Sequence, residues 1–195
     1  MANQKRREQI FQAALELFDQ RGFHGTGMED IATAVGMRAS SLYNHYRSKQ
    51  ELLTEVAVGA MEDLLRTNAT ALAGVTKPED RLVAAMRNHV IFHATQAQRV
   101  RVTNAELGNL EEPHRSVVLQ LRRDYVARWM KFVDEGVGAG ALAAPDVKIA
   151  CWALIDMGIG VAQWYSEGGK YTAEELGDLY GQFALAQLAS HTDRN

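Results

Sequence analysis

Apolar side chains recur at intervals of three and four along most of this 195-residue chain, and no segment alternates strictly between apolar and polar, so the pattern predicts an all-α protein. A first helix is expected over about residues 4–21, striped by Ile10, Ala14, Leu17 and Phe18 with Phe11 beside them. Two short helices fall within 26–45, and a long one over 49–73 carries Leu52, Leu53, Val56, Leu64 and Leu65. Pro78 marks the next start, because its missing amide costs nothing in a first turn. That helix reaches about residue 97, and a shorter one covers 99–107. Pro113 opens another, bearing Val117, Val118, Leu121, Tyr125, Phe132 and Val133, which ends in the glycine-rich GVGAGALAAP at 136–145. A helix over 146–166 follows, and Gly168-Gly169 breaks the chain. Thr172-Ala173-Glu174-Glu175 is then spaced as a capping box for a last helix with Leu176, Leu179, Tyr180, Phe183, Ala184 and Leu188 on one face. About nine helices result.

The densest local signal is TGMEDIATAVGMRASSLYNHYRSKQEL, residues 26–52. Thr26 and Glu29 have the spacing of a capping box, Ile31, Ala32 and Val35 give one apolar face, and Gly36 stands where a left-handed stop is wanted. The next segment, 39–45, has Leu42 as its inward anchor and otherwise presents Ser40, Ser41, Tyr43, Asn44 and His45. Ser48 and Glu51 form a second capping box that opens the long helix. Helix, tight turn and polar second helix make the helix-turn-helix pattern, in which the second helix enters the DNA major groove.

In order and spacing, Ile10, Ala13, Ala14, Leu17, Phe18, Gly22, Phe23, Thr26, Ile31, Ala32, Val35, Gly36, Leu42, Tyr43, His45, Tyr46, Ser48, Lys49, Glu51 and Leu52 resemble the TetR family of transcriptional regulators. The likeness covers about the first third of the chain. Arg38, Ser40 and Asn44 depart from the family's usual residues, which bears on the operator read. The resemblance implies a three-helix DNA-binding domain over 1–47 and a larger ligand-binding and dimerisation domain over 48–195. Lys49, Tyr43 and His45 match positions that meet phosphate or a thymine methyl, and Thr26 at a helix start is a further candidate phosphate clamp. Arg38, Ala39, Ser40, Ser41 and Asn44 would face outward on the reading helix, with Arg38 suited to guanine, or else to neutralising phosphate, and Asn44 to adenine. Lys5, Arg6 and Arg7 are candidates for an N-terminal arm along the backbone or minor groove.

One helix-turn-helix reads a half-site, so a homodimer on palindromic double-stranded DNA is expected. The last two long helices offer an interface: Ile155, Ile159, Val161, Trp164, Leu179, Tyr180 and Phe183, with Gly158, Gly160 and Ala162 permitting close approach. The family's ligand pocket would be lined by Met61, Leu65, Met86, Val90, His93, Leu107, Leu121, Tyr125, Trp129, Trp152, Met157 and Trp164, soft and aromatic side chains suited to a small hydrophobic effector. Asn104-Ala105-Glu106-Leu107, Pro113-His114-Arg115, Arg122-Arg123-Asp124-Tyr125 and Trp164-Tyr165 resemble TetR-type regulators of fatty-acid and steroid catabolism that respond to acyl-CoA. Arg99, Arg101, Arg115, Arg122, Arg123 and Arg128 are then candidate phosphate partners, or else solvated and paired with nearby carboxylates.

Composition changes this picture little. Net charge is −3, yet residues 1–50 hold seven Lys/Arg and five Asp/Glu, an excess of +2 where DNA would be met. No apolar run is expected to reach the ~20 residues that span a bilayer, no signal peptide is seen, and a single cysteine, Cys151, fits a reducing cytoplasm. Motifs for nucleophilic, phosphate-binding or metallohydrolase chemistry are missing, so neither an enzyme nor a cofactor is expected. The remaining alternatives are a different hydrophobic or aromatic effector, and a metal held by His89 and His93 at i, i+4 with a third ligand from Glu106, His114 or Cys151.

Overall fold

The computed structural model describes residues 2–190. Among them the chain is helical throughout: α1 (Ala2–Arg21), α2 (Met28–Ala34), α3 (Ala39–Leu42), α4 (Lys49–Ala71), α5 (Pro78–Thr95), α6 (Ala97–Ala105), a 3-10 turn (Leu107–Asn109), α7 (His114–Gly138), α8 (Val147–Ile159), α9 (Val161–Trp164) and α10 (Ala173–Leu188). The sequence joins α8 and α9 into one helix; counted so, the total is the nine expected. The only extended pairing among the described residues is an isolated bridge between Leu142 and Ala189.

The chain forms two compact units. The first holds residues 2–61 and 98–119, the second 62–97 and 120–190. In the first, Ile10, Ala14 and Phe18 of α1, Ile31 of α2, Leu42 of α3, and Leu52, Leu53 and Val56 of α4 are buried together. In the second, α5 runs through the middle with α8, α9 and α10 packed on it. Its inward residues are Leu82, Ala85, Met86, His89 and Val90.

Caps fix several ends as the spacing predicts. The Thr172 box closes reciprocally: Glu175 N–H donates to Thr172 Oγ1 (3.1 Å) and Thr172 N–H to Glu175 Oε2 (2.8 Å). The two others shift. Gly27, not Thr26, caps α2, with its N–H donating to Asp30 Oδ2 (2.7 Å). Ser48 Oγ accepts from Glu51 N–H (3.3 Å), but the Glu51 carboxylate takes Arg47 N–H (2.8 Å) instead of closing on Ser48.

One apolar stretch comes near the length of a membrane span. Val147–Trp164 is 18 residues long with a mean hydropathy of 1.2, enough by length and composition to cross a bilayer. A third of it is buried within the protein, and it breaks at Gly160.

Candidate nucleic-acid interface and buried polar core

Gly36, at φ +65°, makes the turn between α2 and α3. Its N–H donates to the Thr33 carbonyl (3.1 Å) and Met37 N–H donates to that of Ala32 (2.8 Å), the paired closure of a Schellman turn. This sets Arg38 in extended conformation as the cap of α3. The helix is one turn long, shorter than predicted; beyond it Asn44 N–H donates to Ser41 and His45 N–H to Leu42 in tight turns. Leu42 and Tyr46 are buried and pin the segment, while Arg38, Ser40, Tyr43 and Asn44 are exposed and Ala39, Ser41 and His45 half-buried. Tyr43, at 51% exposure, is a large aromatic ring left in solvent.

Three expected phosphate groups are placed differently. The Thr26 hydroxyl is buried and bonds the carbonyls of Gly22 (3.0 Å) and Leu17 (3.2 Å), so it shapes the turn after α1. Lys49 Nζ donates to the carbonyls of Phe23 (2.9 Å) and Thr26 (3.2 Å) and lies 4.2 Å from the Phe23 ring centroid, leaving one of its three N–H groups. Lys5, Arg6 and Arg7 belong to α1 and are no separate arm. Arg7 is a knot: it donates to Glu55 (2.6 Å) and the His45 carbonyl (3.1 Å) and stacks on Tyr46 (4.1 Å). The Glu55 hydrogen bond is the main reason its guanidinium pKa is raised.

Spacing gave no hint of the clasp that α6 and the 3-10 turn place on this head. Glu106 is buried; its Oε1 accepts from Phe23 N–H (3.1 Å) and its Oε2 from Asn109 Nδ2 (2.6 Å). Asn109 in turn accepts from His24 Nε2 (2.9 Å) on its side chain and from Gln50 Nε2 (2.6 Å) on its carbonyl. Arg101 forks onto both oxygens of Asp19 (2.9 and 2.5 Å), which commits it away from any effector phosphate. The sequence marks Glu106 as part of the Asn104–Leu107 resemblance and as a possible metal ligand but not as a clasp, because its partners lie up to 83 residues away.

In the second unit, a polar and aromatic cluster sits inside the helices. His89 Nε2 donates to the Ile155 carbonyl (3.0 Å), which obliges Nδ1 to accept from the Tyr125 hydroxyl (2.9 Å). His93 Nδ1 donates to the His89 carbonyl (2.7 Å), and the two rings are 4.1 Å apart. Burial holds both imidazoles neutral: His89 falls well below its usual range, helped by His93, and His93 is pushed down to about 4. Trp129 packs edge-on against His89 and tilted against Phe132. Burial also lifts the Cys151 thiol to about 11, which keeps it protonated.

A metal at His89 and His93 is therefore corrected, since His89 has no lone pair to spare. Among the described residues no three His, Cys, Asp or Glu side chains are grouped to hold an ion.

The predicted pocket residues divide. Leu65, Met86, Val90, His93, Tyr125 and Trp129 are buried in the second unit, and Leu121 is half-buried there. Met61 and Leu107 belong to the first. Trp152 (49% exposed), Met157 and Trp164 (54%) face outward and line no interior. They join Ile149, Leu179 and Phe183 as exposed apolar side chains of α8–α10. Ile155, Val161 and Ala162, expected at a partner interface, are instead buried in their own unit. Gly158 is used inside as well: a Cβ there would lie 2.3 Å from His89 Cδ2, so glycine lets α8 bring its Ile155 carbonyl to His89.

A short polar reading segment on a helix-turn-helix, followed by a helical unit with a buried core, defines a DNA-binding transcriptional regulator. The chain belongs to the tetR family: residues 10–56 match the bacterial regulatory proteins of that name, and residues 75–188 match a tetracyclin repressor-like, C-terminal domain. It is similar to the HTH-type transcriptional repressor KstR2 of Rhodococcus jostii (strain RHA1), 28% identical over 187 residues that cover 95% of this chain and 92% of that protein. Among solved structures, the ketosteroid transcriptional regulator KstR2 of Mycobacterium tuberculosis matches with a TM-score of 0.88 at 24% identity, over 94% of this chain and 95% of that one. AibR in complex with isovaleryl coenzyme A and operator DNA matches with a TM-score of 0.79 at 23% identity, over 91% and 97%. These two likenesses show the fold.

Proposed function

We propose that this regulator is a cytoplasmic homodimeric repressor that leaves a palindromic operator when a small hydrophobic effector, an acyl-CoA thioester, binds its larger domain. The outward polar segment 38–45 carries the DNA part of this reading. Its two copies would enter successive major grooves about 34–36 Å apart, with Arg38 and Asn44 reading base edges and Tyr43, His45 and the remaining Lys49 N–H meeting phosphate. Residues 1–47 act as the reading domain and 48–195 as the sensing and pairing domain.

The exposed apolar side chains of α8–α10, with Trp164 and Phe183 each 54% exposed, support pairing through those helices. The effector class is supported by the isovaleryl coenzyme A named with AibR and by the likeness to KstR2 repressors. Leu65, Met86, Val90, Tyr125 and Trp129 supply apolar surface for the acyl group. Effector binding shifts the pair of heads by no more than its differential affinity for the two states, typically about 1–3 kcal/mol.

The test is fluorescence anisotropy on DNA upstream of the protein's own coding sequence, with and without octanoyl-CoA or free CoA. Release by the thioester alone supports the reading. Binding unaffected by the thioester replaces the effector with another hydrophobic or aromatic compound, and no DNA binding removes this operator.

A further inference from the structure

Asn68 lies in the second half of α4, three and four residues beyond Leu65 and Leu64, where helical spacing calls for another apolar side chain. It is 0% exposed, and neither its Oδ1 nor its Nδ2 has a hydrogen-bond partner. The turn around it is tied on both sides. From α7, Arg128 Nη1 donates to the Leu65 carbonyl (3.1 Å); from α5, Asn88 Nδ2 donates to Thr67 Oγ1 (3.4 Å). Asn68 is thus enclosed within the second unit, in a stretch of α4 flanked by α5 and α7.

Burying a carboxamide with all its donors and acceptors unmet is unfavourable, and leucine of similar size would carry no such cost. Rules of packing are broken in this way where function needs the group. We propose that Asn68 is the polar contact for the effector, supplying hydrogen bonds partway along an otherwise apolar ligand that offers both an acceptor and a donor. The assignment rests on the acyl-CoA reading above and gives it a point of recognition. In a CoA thioester the carbonyl accepts from Nδ2–H. The cysteamine amide N–H, beyond the sulfur and two methylenes, donates to Oδ1. The acyl chain beyond the carbonyl then lies on apolar surface.

Full-length protein and its Asn68→Leu variant are titrated calorimetrically with octanoyl-CoA and with the thioether S-octyl-CoA, which lacks the carbonyl. Both proteins are also melted without ligand. The wild type is expected to prefer the thioester about tenfold or more, the equivalent of about 1.4 kcal/mol. Asn68→Leu binds the two alike and, freed of the unmet amide, melts about 2–4 °C higher. Equal binding of thioester and thioether by the wild type overturns the role of Asn68 while leaving the acyl-CoA reading intact. A lower melting temperature for Asn68→Leu also overturns it, because Asn68 is then satisfied by ordered water as part of the fold. If the wild type binds neither compound, the acyl-CoA reading falls and this assignment with it.

Discussion

Glu106, in the bend between α6 and the 3-10 turn, and Asn68, on α4, are both buried polar side chains, one in each compact unit, and the protein treats them in opposite ways. Glu106 is met on both oxygens, by the Phe23 amide and by Asn109, and through Asn109 it reaches His24 and Gln50. Asn68 is met by nothing. Saturated hydrogen bonds hold the reading head in one arrangement, whereas the second unit keeps a group whose bonding is still to be supplied. Rigidity where bases are read and unmet polarity where a ligand is sensed suit a switch.

Acid gives the largest effect and acts on the second unit. His89 and His93 are neutral in the fold with pKa values below their unfolded value of about 6.5, so the unfolded chain binds more protons and stability falls as pH drops. The loss begins near pH 6.5 and for His93 continues towards 4. It should amount to about 2 kcal/mol per histidine between pH 6.5 and 5 in urea unfolding; a flat profile over that window would contradict the buried pair. Next is Glu106→Leu, which strands the Phe23 amide and should cost about 1–3 kcal/mol by the same measurement. A variant as stable as the wild type would show the clasp to be incidental. Thr172→Ala should cost about 1 kcal/mol by removing the cap of α10. Smallest in stability is Tyr43→Ala, expected within about 0.5 kcal/mol, yet anisotropy should show operator binding lost on any sequence. Retained affinity would displace Tyr43 from the DNA face.

What was legible in the sequence was local. The α2–α3 turn could be read because Gly36, Leu42 and the polar run 40–45 are close neighbours whose roles depend on a few residues. α3 is shorter than its polar pattern implies, since a single turn followed by tight turns carries the same pattern as a longer helix. The family resemblance points Lys49, and a helix start points Thr26, towards phosphate, but nearby carbonyls claim both first. Trp152, Met157 and Trp164 show the limit of periodicity: a helix apolar on two faces does not say which face is inward. Glu106 needed three-dimensional pairing to be seen. Asn68 carried a signal all the same, as one amide in an apolar stripe.

The three tryptophans give the molecule built-in reporters of separate events. Trp129 is sealed inside the second unit beside His89, while Trp152 and Trp164 stand in solvent. In a single unpaired copy a soluble quencher should therefore reach two of the three indoles, and the shielded emission that remains should shift only when the interior opens. Shielding of the accessible pair, with Trp129 unchanged, would record one copy meeting another.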